Sequence, residues 1–179
     1  MWEERLGDDE HFRVSVNISP VQLGNHDFID ALRHALAATN VSPRRLSFEL
    51  TGSVLLGLTP AIDAVIAELT EMGVALGLDD FGTDASSLGG LRRFPVRFVK
   101  IDRELVHAVD HDPRAEAIVA STITLAHRLD MSTIAVGVER VAQHELLRSL
   151  GCDAAQGYLF AKPMAAAEVL PYLDHVYAV

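Results

Sequence analysis

The chain has 179 residues, 49% of them hydrophobic, and a formal net charge of −10, with a pI near 5.1 and a mean hydropathy of +0.20. This is enough apolar material for one packed domain, and the acidic balance argues against non-specific binding to nucleic acid or anionic membrane, which needs a basic surface. A single cysteine, Cys152, excludes an intrachain disulfide; no run of about eighteen apolar residues offers a membrane span, and Met1-Trp2-Glu3-Glu4-Arg5 lacks an apolar signal core, so a cytoplasmic protein is expected.

Strand-like and helix-like segments alternate from end to end. The first strand is expected at Arg13–Ile18 and the first helix at Asp27–Thr39, where Phe28, Leu32 and Leu36 recur at four-residue spacing. Leu46–Leu50 reads as the second strand, followed by a helix over Pro60–Met72. Pro60 suits a first helical turn, and Gly73 suits a left-handed cap. Val74–Asp79 is the third strand, Ser87–Arg93 a short helix, and Arg97–Ile101 the fourth strand. Pro113–Leu129 is a longer helix, again opened by proline. Thr133–Val138, Ala142–Leu150 and Ala155–Leu159 supply a strand, a helix closed by Gly151, and a sixth strand; Ala166–Tyr177 is the last helix.

The strands are short, branched and nearly continuous in apolarity, as expected of parallel strands covered on both faces. Six β-α units of about 30 residues each suit an α/β barrel or an open doubly wound sheet. No glycine-rich phosphate loop opens a first helix, which weakens the nucleotide-binding open sheet. Polar residues at the strand ends favour the barrel, but a complete one has eight units. The expected fold is therefore an incomplete TIM-type barrel.

Those strand ends carry the chemistry. In chain order they offer Asn17 with Ser19 beyond it, Glu49 with Thr51, the adjacent pair Asp79 and Asp80, Lys100 with Asp102, then Glu139, and finally Gln156. Carboxylate and amide oxygens in this arrangement suit Mg²⁺ or Mn²⁺. Two such ions about 4 Å apart would activate water against a phosphodiester, and a nearby lysine would orient that water or offset developing charge. Each residue also has a bland reading: Asn17 as a turn residue, Glu49 as a surface charge, Asp79-Asp80 as a helix cap. Together those readings must explain polar groups at six successive strand ends. His107 and His111, beside Asp110 and Asp112, are expected on a solvated loop rather than in a metal site, and Cys152 is expected to be a small buried residue.

The motifs resemble the EAL-domain phosphodiesterases of bacterial cyclic-di-GMP signalling. The residues that carry the resemblance are Ser15-Val16-Asn17-Ile18-Ser19-Pro20-Val21-Gln22-Leu23, Phe48-Glu49-Leu50-Thr51, Asp79-Asp80-Phe81-Gly82-Thr83, Lys100-Ile101-Asp102-Arg103 and Gly151-Cys152-Asp153-Ala154-Ala155-Gln156-Gly157-Tyr158-Leu159-Phe160. The resemblance covers about Phe12 to Tyr172. It implies a modified eight-stranded TIM-type barrel that opens cyclic-di-GMP to linear pGpG with Mg²⁺ or Mn²⁺. It further implies that Asn17, Glu49, Asp79 and Asp80 hold metal, that Lys100 contacts the attacking water, and that Glu139, Gln156 and Asp102 support the metal and water network. Pro163 belongs with the residues that would help to hold the ligand.

This sequence also departs from the family's pattern. The namesake Glu-Ala-Leu strand is expected to lie before Met1, so that residues 1–179 would form a single partial EAL domain lacking two N-terminal strands. Ala135-Val136-Gly137-Val138-Glu139 has Val136 where the family usually has a metal-binding Glu. Gly52 replaces a Glu that steadies the loop after Asp79-Asp80, and Thr83-Asp84-Ala85-Ser86-Ser87 replaces that loop's usual Thr-Gly-Tyr-Ser-Ser. These departures imply a degenerate domain with negligible phosphodiesterase activity, acting as a cyclic-di-GMP-binding or protein-interaction module. The alternative is a metal-dependent phosphodiesterase whose site a partner chain completes. Exposed sheet edges are expected to be covered by a homodimer or a heteromeric partner.

Overall fold

The computed structural model describes residues 12–25, 27–52, 59–81 and 94–177. Six parallel strands form one sheet: β1 Val14–Asn17, β2 Leu46–Thr51, β3 Ala75–Phe81, β4 Val96–Ile101, β5 Ser132–Val136 and β6 Ala154–Gln156. They lie side by side in chain order. A doubly wound sheet reverses its order at a switch point; here no reversal occurs, and the winding is that of a barrel.

Helices follow the strands: α1 Pro20–Leu23, α2 Phe28–Thr39, α3 Pro60–Met72, α4 Arg103–Ala108, α5 Pro113–Arg128, α6 Val141–Ser149 and α7 Ala166–Tyr177. Their ends obey local chemistry. The Thr59 hydroxyl accepts from the Ile62 N–H, Pro60 opens α3, and Gly73 closes it at φ 90°. Asp112 caps α5 through the Arg114 N–H at 2.9 Å, ahead of Pro113. Gly151 takes φ +86° after α6, as expected.

Alternate residues of each strand face opposite ways. The outward set packs under the helices. Phe48, Leu50, Leu76, Leu78 and Val99 form one core with Ile62, Ile66 and Leu69 of α3 and Ile29 of α2. Ile101 and Ala135 form a second with Val106, Val119, Ile123 and Leu147. Leu50, Leu69, Leu78 and Val99 have no exposed surface, and each fully buried side chain of this size contributes about 1.5–3 kcal/mol. The inward set includes Ser47, Glu49, Gly77, Asp79, Phe98 and Lys100. Gly77 is required there: a Cβ would stand 2.1 Å from the Phe98 ring.

Several expectations are corrected. The fifth strand stops at Val136 and the sixth at Gln156, because Gly137, at φ +81°, turns the chain. The N–H groups of Gly137 and Val138 both donate to the Gln156 carbonyl. Gly157 lies so close to the Val138 backbone that a Cβ would be 2.1 Å from its carbonyl oxygen. Three short elements were not expected: α1, α4 and a 3₁₀ turn over Pro43–Arg45. Cys152 is half-buried rather than buried. The expected helix over Ser87–Arg93 and the Thr83–Ser87 loop lie outside the described residues. No helix among the described residues is long and apolar enough to cross a membrane.

Candidate functional site

The inward face of β2, β3 and β4 brings three of the expected residues together. Lys100 donates from Nζ to Glu49 Oε2 at 2.6 Å and lies 3.4 Å from Asp79 Oδ1. Glu49 and Lys100 are 6% and 8% exposed and Asp79 is half-buried, so a buried ion pair is flanked by a second, partly solvated carboxylate. Burying the Lys100 and Glu49 charges this far from water is tolerable only because each neutralises the other.

A β-bulge places the acidic pair. Leu78 aligns with Val99, but the next aligned residues are Phe81 and Ile101. Asp79 and Asp80 therefore share the one position opposite Lys100. Asp80 takes φ 55°, a left-handed conformation that Asp tolerates better than most residues, and its N–H donates to Asp79 Oδ1 at 3.1 Å. Partial burial, then the charges of Asp79 and Asp102, push the Asp80 carboxyl above its ordinary value, against the opposing pull of Lys100. Two adjacent acidic residues ending an apolar run thus become a compact anionic focus rather than a simple strand terminus.

Asn17 ends β1 in register with Glu49 and is exposed. The Ser15 and Ser47 hydroxyls, one step back on the same face, are 2.6 Å apart. Ser19 is used locally: it caps α1 in a reciprocal box with Gln22. Asp102 also has a structural task, accepting at Oδ1 from the Glu104 N–H at 2.8 Å to cap α4. The residues that could hold a divalent cation by donor chemistry are Asn17, Glu49, Asp79 and Asp80. Among the described residues, no three His, Cys, Asp or Glu side chains already stand in a metal-holding group, since Glu49 and Asp79 turn to Lys100.

The far side of the sheet is different. Val136 aligns with Gln156 across β5 and β6, and both belong to the inward set with Ile134, which aligns with Lys100. Glu139 is not brought to the carboxylates. It pairs with Arg103 at 3.1 Å, whose stem runs over Gly137. The side chain of Gln156 is exposed, while its backbone closes the turn after β5. Gly52, just beyond β2, is half-buried. His107 sits on α4 rather than on a loop, with His111 beyond it. Both are exposed, and their rings meet edge-on at 6.0 Å. The neighbouring Asp110 is committed to Arg140 through two bonds of 3.1 and 2.7 Å.

Two polar networks escaped the sequence reading. Gln143, fully buried, accepts at Oε1 from the N–H groups of Glu139 and Arg140 and donates to the carbonyls of Val106 and His107. It thereby joins the start of α6 to the end of α4. Asp153 accepts at Oδ2 from the N–H and hydroxyl of Thr133, both at 2.8 Å, and contacts His127 Nε2 at 2.8 Å. The visible signal was a lone acid inside an otherwise small and apolar Gly-Cys-Asp-Ala-Ala run.

A profile of the EAL domain family matches residues 2–163. The bifunctional diguanylate cyclase/cyclic di-GMP phosphodiesterase MucR of Pseudomonas aeruginosa is 36% identical over 164 residues, covering 92% of this chain and 24% of that protein. The chain spans about a quarter of the length of the first curated relatives it matches. The crystal structure of the EAL domain of Mycobacterium smegmatis DcpA superposes with a TM-score of 0.88 at 30% identity, covering 96% of this chain and 77% of that one. Klebsiella pneumoniae BlrP1, in a manganese/cyclic-di-GMP complex, superposes with a TM-score of 0.81 at 30% identity, covering 90% and 41%.

Proposed function

The chain belongs to the EAL domain family, and we propose that it is a degenerate member that binds cyclic-di-GMP with negligible hydrolysis, residues 1–179 forming a single partial domain. The observation that carries this reading is Val136. It belongs to the inward set beside Gln156, at a position where the family's pattern has a metal-binding carboxylate. A valine offers neither a lone pair to a cation nor a base to a proton. Glu139, three residues on, is engaged by Arg103 and does not replace it.

The oxygen-rich half of the site supports retention of a ligand. Asn17, Glu49, Asp79 and Asp80 are hard donors on adjacent strands; burial first, and then like charge, raises the Asp80 carboxyl, and a cation relieves the like-charge part. These residues fit one Mg²⁺ or Mn²⁺. When bound, such an ion polarises a phosphoryl oxygen and makes a bound water more acidic. Lys100 then orients a ligand phosphate or water, Asp102 and Gln156 fix the surrounding polar groups, and Pro163 contributes to the ligand's surround. Without the carboxylate at position 136, placement of a second ion fails, and a mechanism that depends on two loses its activity.

A partner is the second part of the proposal. β1 and β6 are the outer strands of the described sheet, and Val14 and Val16 on β1 are 43% and 44% exposed. A second copy or another protein covers this edge, since an unpaired apolar strand invites pairing. It would also be the means of completing the site if hydrolysis is found.

The test is a ³¹P NMR spectrum of cyclic-di-GMP with equimolar protein and Mg²⁺, followed overnight. Shift or broadening without a new phosphomonoester signal is expected. A growing phosphomonoester signal would overturn the loss of hydrolysis, and an unchanged spectrum would overturn ligand binding. Light scattering of the same sample checks the partner, with a mass of one chain at all concentrations counting against a homodimer.

A further inference from the structure

The end of the barrel opposite the carboxylates carries the contrary charge. A cavity of about 1030 Å³ opens there, lined by Arg13, Arg44, Arg45 and Arg97, with Asp130 as the one carboxylate among the described lining residues. The chain has only 15 lysines and arginines against 25 acids, so four arginines round one cavity are a local concentration of basic side chains among the described residues.

The fold assembles this cluster from separate elements. Val14 aligns with Leu46, so Arg13 and Arg45 enter β1 and β2 side by side. The Arg44 stem lies against Gly73, 3.3 Å from where a Cβ would stand, at the turn into β3. Arg97 is delivered by a second bulge. Leu76 aligns with Val96, but the next residue, Gly77, aligns with Phe98. Arg97 is the extra residue, and an extra residue in a strand re-aims its side chain. Arg13, Arg44 and Arg97 are exposed and Arg45 is half-buried; Arg97 lies within β4, Arg44 and Arg45 in the 3₁₀ turn that leads into β2, and Arg13 directly before β1. No salt bridge joins Arg13, Arg44 or Arg97 to a carboxylate among the described residues.

We propose that this cavity is a binding site for a small phosphorylated anion of nucleotide size, separate from the carboxylate site at the other end of the strands. The planar fork of arginine matches phosphate oxygens in pairs, which lysine cannot do. The volume is at the upper end of the range of small-molecule sites, about 300–1,000 Å³. The charge of the whole chain selects size: a net −10 repels an extended polyanion such as nucleic acid at long range, whereas a compact anion meets only the local positive field. The shared chemistry is a pair of linked phosphates, carried by a nucleotide or by an inorganic oligophosphate.

The test is calorimetric titration of the full chain with ADP and with pyrophosphate, in low salt and EDTA so that the carboxylate site holds no metal. Saturable binding at sub-millimolar concentration is expected with at least one probe. Tighter binding of ADP assigns the site to nucleotides, and equal or tighter binding of pyrophosphate to inorganic oligophosphates. Arg13→Gln with Arg97→Gln should weaken binding at least tenfold, and Arg44→Gln with Arg97→Gln, a second pair, should do the same. Arg114→Gln with Arg148→Gln removes the same charge from exposed positions on α5 and α6 and should leave binding within twofold. Thermal melts establish that each variant is folded. No saturable heat with either probe, or an equal loss in the Arg114/Arg148 pair, would overturn the proposal.

Discussion

The two halves of the strand-end surface have the same scaffold and opposite fates. Across β2, β3 and β4 the inward residues converge on a buried lysine, with Glu49 at 2.6 Å and Asp79 at 3.4 Å and Asp80 close enough to feel the charges of Asp79 and Asp102. Across β5 and β6 the corresponding positions hold Ile134, Val136 and an exposed Gln156, and the nearby acid, Glu139, is held by Arg103. Both halves keep their outward cores intact. The chemistry of one half can therefore be altered without disturbing the fold, because inward and outward residues alternate along each strand and are constrained independently.

The largest effect expected is on stability, in the first half. Lys100→Met removes the cation from two carboxylates, one of them buried, and should cost about 3–5 kcal/mol, the range for breaking a buried pair from one side. Thermal melting should show a drop of about 6–20 °C, since about 1 kcal/mol corresponds to roughly 2–4 °C for a domain of this size. A shift of a degree or two would mean that the ion pair is solvated, and the contrast between the halves would fail. Next is activity in the second half. Val136→Glu should raise cyclic-di-GMP hydrolysis in Mn²⁺ by about a hundredfold, about 2.7 kcal/mol of barrier. No gain would move the cause of inactivity away from β5.

How much of this was legible in the sequence follows from what each feature depends on. The strands and helices followed from apolar runs and punctuation; α3 and α7 begin and end where Pro60, Gly73 and the last apolar stretch placed them. The residues at the site were visible because polar side chains at the ends of buried strands are conspicuous. Their alliances were not. Nothing local says that Lys100 reaches across β3 to Glu49, 51 residues earlier, or that Arg103 claims Glu139. The bulge at Asp79-Asp80 was equally hidden, because an extra residue shows only against a partner strand's register. The position of Asp102 at a strand end suggests part of a polar shell, yet one of its oxygens caps α4. Strand length failed at β5 and β6, where Gly137 turns the chain at positive φ and Gly157 permits a close backbone approach that periodicity does not encode.

Smaller effects sharpen the contrast by testing the scaffold of the second half. Gln143→Leu keeps the volume but strips the N–H groups of Glu139 and Arg140 and the Val106 carbonyl of their partner. The cost should be about 2–3 kcal/mol, the range for polar groups left buried and unsatisfied, read as a shift in urea midpoint without change in slope. An unchanged midpoint would mean that water replaces the side chain there.

The smallest effect is on pH dependence. Burial opposes charge on Asp153, but hydrogen bonds from His127 and from the N–H and hydroxyl of Thr133 outweigh it and hold the carboxyl below its ordinary value. The folded state therefore binds this proton less readily than the unfolded chain. Its contribution is complete above the unfolded carboxylate pKa of about 4 and is lost as pH falls through the lower folded value. Asp110, held well below the usual range chiefly by hydrogen bonds from Arg140, has the same sign. Because both carboxylates retain contact with solvent, Asp153→Asn should change stability at pH 6 by only about 1 kcal/mol or less. The diagnostic is the gap between the two melting curves. It should be widest near neutrality and close as the pH falls below 4, because protonation of the native carboxylate removes the interaction that asparagine has already lost. A gap that stayed constant down to pH 2.5 would show that Asp153 acts by shape and hydrogen bonding alone, with no share in the acid sensitivity of this half of the sheet.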